Sequence, residues 1–165
     1  ILGEDRALFN DREVAHMKDV KELVRSVYVL ALASAVYLAV MTIIGFALHR
    51  GRFVGLFAQR LALGGGLTMV LLIVFAAVAS VGFDSVFLKF HQLSFANDFW
   101  QLDPRTDYLV RIFPRDFWFD TTLWVAARAI AGALLFAVAG SAYLVHRRCT
   151  GWQRELNGLE SARET

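Results

Sequence analysis

The sequence predicts an all-α, polytopic membrane helix bundle that carries a polar and aromatic loop domain on one side of the bilayer. Three observations point there. The hydrophobic fraction is 57% and the mean hydropathy +0.49, both high for a chain of 165 residues with only two prolines. Three stretches are long and apolar enough to span a membrane. Between the second and third, the run from Phe90 to Trp118, FHQLSFANDFWQLDPRTDYLVRIFPRDFW, sets one His, one Asn, four Asp and three Arg among Phe and Trp residues. Joining two helices does not require that chemistry.

The chain opens on a charged segment, ILGEDRALFNDREVAHMKDVKELVR. Val14, Met17, Val20 and Val24 recur at helical spacing, and Asn10 followed three residues later by Glu13 has the form of a capping box. An interfacial helix is therefore expected over 11–25, running into the next segment. On it His16 and Asp19 are three apart and share a face, where a carboxylate can orient or charge an imidazole. A solvated helix face with an incidental histidine has the same spacing.

Residues 26–48 carry no charge, and at about 1.5 Å per residue they cross a hydrocarbon core of roughly 30 Å. A short basic loop, HRGRFVGLFAQR, follows. The second span covers 61–83. Its Gly64, Gly65 and Gly66 suit close helix packing in lipid, since the lysine and hydroxyl pattern of a phosphate-binding loop is missing. The third span covers 121–145, with Ala129, Ala133, Ala137 and Ser141 repeating a small residue every four positions. Arg128 interrupts it. A charge at membrane depth costs about 3 kcal/mol on insertion scales, so Arg128 either snorkels to the interface or serves a site. The polar tail, 146–165, is expected to fray.

The net charge of +2 says little, but its distribution gives an orientation. Arg50, Arg52 and Arg60 in the first loop, with Arg147, Arg148 and Arg154 after the third span, place those segments in the cytoplasm. The 84–120 loop, with six Asp against Lys89, Arg105, Arg111 and Arg115, is then extracytoplasmic together with the amino-terminal segment. An amino terminus outside implies a fourth span upstream of Ile1. The whole of 1–165 reads as one membrane domain.

Orientation also sorts the reactive groups. His49, His146 and the single Cys149 fall at cytoplasmic ends, and a lone cysteine excludes an internal disulfide. His16 and His91 remain on the outer side. No HExxH spacing is present, and Asp98, Asp103, Asp107 and Asp116 follow no metal-ligand pattern, so neither metal nor cofactor is expected. A serine nucleophile, Ser94 or Ser85, with His91 as base lacks a GxSxG elbow. Phe90, Phe95, Phe99, Trp100, Phe113, Phe117 and Trp118 read as a headgroup-level aromatic belt, and 109–113 as a short helix stopped by Pro114.

The two elements EVAHMKDVK and FHQLSFANDFWQLDPRTDYLVRIFPRDFW, each leading into or bridging membrane helices, resemble the lipoprotein intramolecular transacylase (Lit) family of bacterial membrane proteins. The resemblance runs from about Phe9 to Val145 and departs at the start, where the family's first membrane helix is not seen. It implies an enzyme of the bacterial cytoplasmic membrane, acting on its extracytoplasmic face on a diacylated lipoprotein among membrane lipids. The reaction moves the sn-2 acyl chain of an S-diacylglyceryl cysteine to the α-amino group of that cysteine, giving the lyso form. His16 and His91 are then the acid–base pair, with Asp19, Asn97, Trp100, Asp103, Arg111 and Arg128 in supporting places. A lipid or lipoprotein hydrolase using Ser94, and a non-enzymatic membrane adaptor docking through the aromatic loop, are the competing readings. No nucleic-acid partner is expected.

Overall fold

The structure is a computed structural model and describes residues 7–163. It is all-α, with four helices in chain order: α1 (Asp11–His49), α2 (Gly51–Ser94), α3 (Tyr108–Ile112) and α4 (Arg115–Arg163). Three of them, α1, α2 and α4, are long and apolar enough to cross a membrane. Their apolar side chains stay largely uncovered by protein, as at Leu30, Leu38, Ile43, Leu67 and Val81, which is the surface a lipid-facing helix presents.

The helices outrun the charge-free stretches that announce them. The basic segment after His49, expected as a loop, is the first turns of α2, and Arg50 alone separates the two helices. Arg50 takes a left-handed φ of 46° while its N–H donates to the Phe46 carbonyl at 3.0 Å, a C-terminal cap that reverses the chain in one residue. At the other end α2 continues to Ser94, well into the segment expected as loop. The tail after Val145, expected to fray, is helical through Arg163. Each extension lacks an internal proline and keeps good helix formers, so backbone hydrogen bonding carries on past the bilayer-length core.

The chain divides into two compact units. One holds Leu38–Val74 and the chain from Ala126 onward. Within it α2 and α4 meet at backbone distance. A methyl added at Gly65 would stand 2.6 Å from the Ala133 carbonyl oxygen and 2.7 Å from the Ala137 nitrogen. A methyl at Gly140 would stand 2.7 Å from the Ala62 nitrogen. Small residues let helices approach where lipid supplies no hydrophobic drive. Of the glycine triplet it is Gly65 that makes this contact, while Gly64 and Gly66 face open space. Next to the Arg50 turn, Phe46, Phe53 and Phe57 stack with centroids 5.0 to 6.1 Å apart, and the Phe53 ring lies over Gly45.

The other unit holds the chain up to Tyr37 together with Phe75–Val125. Here α2 breaks its helical geometry at Gly82, with φ −133° and ψ 43°. The three turns beyond the break carry Phe83, Phe87 and His91 at successive four-residue steps. Phe83 is buried and meets Phe119 of α4 edge-on at 5.4 Å. Arg115, the first residue of α4, donates to both oxygens of Asp84 at 2.5 and 3.3 Å and lies over the Phe83 and Phe119 rings.

Candidate active site

The site is built in this second-described unit from the start of α1 upward. The Asn10 N–H donates to Glu13 Oε2 at 2.8 Å, and the Glu13 N–H donates to Asn10 Oδ1 at 2.9 Å. This reciprocal pair is a capping box, and it fixes where α1 begins. One turn on, His16 points inward and is buried. Its Nδ1 is buried without a hydrogen-bond partner.

His91 arrives from the last turn of α2. Its Nδ1 lies 2.8 Å from the Phe87 carbonyl oxygen. A carbonyl only accepts, so Nδ1 carries a proton, and in the neutral form of the ring the lone pair is left on Nε2. Phe87, Trp100, Phe90 and Phe95 surround the imidazole at centroid distances of 4.3, 5.3, 5.4 and 5.6 Å. The two imidazoles stand 5.9 Å apart, and Phe95 touches both, meeting His16 edge-on at 5.1 Å. That separation is inside the roughly 10 Å within which two side chains can reach one bound group.

Burial is the main cause holding the His16 pKa below the usual histidine value. The neighbouring His91 adds to the lowering, and the Asp19 carboxylate opposes it. His16 is therefore a neutral imidazole at neutral pH.

Both histidines line one cavity of about 1230 Å³. Ordinary small-ligand pockets run to roughly 300–1,000 Å³, so this one exceeds them and is large enough for a lipid chain. Met17, Val20, Leu23 and Val24 of α1 form one apolar wall, Phe83, Phe87 and Leu88 of α2 another. The 102–113 segment and Trp118 complete it. A smaller depression near Cys149 is formed by α4 alone.

The segment 95–107 is held by its own polar groups. The Asp107 N–H donates to the Asp103 carbonyl at 2.8 Å, and Asp107 Oδ2 accepts from the Asp103 N–H at 2.7 Å. Asp107 then leads into α3, where the Leu109 N–H donates to Glu13 Oε1 at 2.7 Å. Asn10 Nδ2 donates to Asp107 Oδ1 at 2.9 Å. Glu13, only 1% exposed, thus closes the start of α1 with one oxygen and the start of α3 with the other.

The residues expected to support the histidines divide. Trp100 stacks on His91, and Asp103 lines the cavity. Arg105 holds the Asp103 carboxyl below the usual carboxylate range through a side-chain hydrogen bond, then a backbone one. Asp19 Oδ2 accepts from Asn97 Nδ2 at 2.8 Å, while Asn97 Oδ1 accepts from the Phe99 N–H at 3.0 Å, so this pair ties α1 to the loop. Arg111 gives its guanidinium to the Pro104 carbonyl at 2.6 Å and to the Arg105 carbonyl, beside the Tyr108 ring. It braces the loop and is not among the cavity residues. Arg128 is exposed on α4 and belongs to the other unit. Ser94 is not among the cavity residues.

The sequence did not reveal Phe87, nor the long-range partners of Glu13 and Asp107. The Asn10–Glu13 spacing announces the cap, but Glu13's second oxygen is satisfied by a backbone group far along the chain, and local spacing carries no mark of that.

Fold and site together define a polytopic α-helical membrane protein whose paired histidines open on a lipid-sized cavity. Residues 4–118 match the family described as lipoprotein intramolecular transacylase Lit, and the chain belongs to that family. It is 31% identical over 143 residues to an uncharacterized protein of Aquifex aeolicus (strain VF5), an alignment that covers 84% of this chain and 59% of that protein. The chain thus spans less than two thirds of the length of this curated relative. No solved structure matches it.

Proposed function

We propose that the protein catalyses intramolecular acyl transfer on a diacylated bacterial lipoprotein, at the extracytoplasmic face of the cytoplasmic membrane. The observation that carries this reading is the pair of imidazoles 5.9 Å apart on one lipid-sized cavity, one of them with its Nε2 lone pair left free. Family membership supplies the substrate class.

The amino terminus of the S-diacylglyceryl cysteine has a pKa near 8 and must lose a proton to attack. That proton leaves to bulk water, and as the free amine attacks, His91 Nε2 takes a second N–H proton as general base. The amine nitrogen bonds to the sn-2 ester carbonyl carbon, the tetrahedral oxyanion forms, and the C–O bond to glycerol breaks. His91 returns the proton to the departing glycerol oxygen. His16, neutral because it is buried, donates a hydrogen bond to the oxyanion; a neutral imidazole serves this electrophilic role where a strong acid is not needed. Donor and acceptor lie on one molecule, so the substrate itself supplies much of the proximity, and no acyl-enzyme is required. Trp100 and Phe95 hold the imidazoles in place and exclude water.

Mass spectrometry of a diacylglyceryl lipopeptide incubated with the protein tests the reaction. An unchanged total mass with one chain moved to nitrogen is the expected product. Released fatty acid, lost again in Ser94→Ala, would instead establish the hydrolase. Ser94→Ala is expected to leave acyl transfer intact.

A further inference from the structure

We propose that the Asn10–Glu13–Asp107 cluster is a positioning clasp that selects the acceptor of the acyl group, favouring the amine over water. The inference rests on the transacylase reading above. A free His91 Nε2 activates water as readily as it activates an amine, and water is the more abundant nucleophile. Transfer to nitrogen therefore requires a cavity wall that stays shut while the ester is exposed to the base.

That wall is the segment the clasp holds. Leu102, Asp103, Pro104, Arg105, Leu109 and Val110 all line the cavity. The segment is tied to the helix that carries His16 by Asn10 Nδ2 to Asp107 Oδ1 at 2.9 Å and by the Leu109 N–H to Glu13 Oε1 at 2.7 Å. Asp107 also receives the Asp103 N–H at 2.7 Å, which fixes the turn between them. Glu13 and Asp107 are buried, so these bonds do not exchange freely with water. Neither residue lines the cavity, and their action is on the wall alone.

The chemistry of the clasp gives a reciprocal test. In Asn10→Asp, a second carboxyl faces Asp107 Oδ1 where an amide donated. In Asp107→Asn, the new amide can receive from Asn10 or from the Asp103 N–H, but not from both. The double exchange restores the bonds that join the two segments and the turn: the new carboxyl at position 10 still accepts the Glu13 N–H and accepts from the new amide at position 107, whose oxygen still receives the Asp103 N–H, while only the long Thr106 hydroxyl contact to position 107 changes.

The experiment measures fatty acid released against amide formed from the same diacylglyceryl lipopeptide, for wild type, both single variants and the double. Each single variant is expected to raise the share of fatty acid by about tenfold, the scale of one lost buried hydrogen bond, and the double to return it toward wild type. Hydrolysis adds water across the ester, so product masses separate the two outcomes. Amide-proton exchange at Asp103 and Leu109 is expected to quicken in the singles and slow again in the double. A wild-type protein that forms amide while the singles leave the ratio unmoved overturns the clasp's role alone. A double that stays as hydrolytic as the singles, with exchange restored, overturns it as well. A wild-type protein that forms no amide overturns the transacylase reading and the selection role with it.

Discussion

His16 and His91 approach with ring centroids 5.9 Å apart and planes tilted by 36°, one imidazole brought by the first turns of α1 and the other by the last turns of α2. Their surroundings differ. His91 has one nitrogen bound to a carbonyl, whereas His16 has a buried nitrogen with no partner, and the proposed mechanism gives them different tasks accordingly.

Replacing His91 by Ala is expected to reduce acyl transfer by about 10²–10⁴-fold, the usual worth of a general base. His16→Ala is expected to lose about 10²-fold or more, the scale of one oxyanion donor. Initial rates on the lipopeptide measure both losses, and thermal unfolding in detergent checks that each variant remains folded.

The depressed pKa of His16 has a defined sign. The unfolded chain binds the proton more readily than the folded one, so the stability this group contributes is present above about pH 6.5 and is lost as the pH falls through its lower folded value. Asp19 opposes the depression, and Asp19→Asn is expected to move the His16 titration to still lower pH. Imidazole chemical shifts recorded across pH 4–8 measure it; an upward shift would contradict the assignment of causes.

Glu13→Ala strips acceptors from the Asn10 and Leu109 N–H groups at once. Unpairing the half-buried Leu109 donor costs about 1–3 kcal/mol and losing the cap at the exposed Asn10 about 1 kcal/mol more, so a loss of about 2–4 kcal/mol is expected. Glu13→Gln retains one acceptor and should fall between. Denaturant titration in mild detergent reads the difference.

How much of this was legible beforehand follows the range of each interaction. Three long apolar helices, the start of α1 at its capping box and a short helix ahead of Pro114 rest on local patterns, and the structure has them, although the apolar helices run past the charge-free stretches at their ends. The convergence of His16 and His91 was legible from charge distribution, because both flank apolar spans on the side away from the basic loop. Helix ends were less legible: Phe83, Phe87 and His91 extend α2 by packing, which leaves no mark in a hydropathy profile. Side-chain destinations were the least legible. Arg111 and Asn97 carry donors whose targets the sequence does not mark; in the fold a loop carbonyl accepts from the first and the Asp19 carboxylate of α1 from the second.

A bulky residue at Gly65 is expected to part α2 from α4. Even the first side-chain carbon would meet the Ala133 carbonyl at 2.6 Å, and backbone does not yield as a flexible side chain does. Gly65→Leu should cost about 1–3 kcal/mol, while Gly64→Leu, directed into open space, should be tolerated. Comparative melting temperatures of the two variants check this.

The break at Gly82 lies between the apolar body of α2 and the turns that carry His91. During synthesis the chain therefore emerges with His16 first and must thread an entire hairpin before its counterpart returns beside it. A polypeptide arrested or cleaved anywhere ahead of that glycine carries His16 without His91, so the paired imidazoles exist only once both arms of the hairpin have been made.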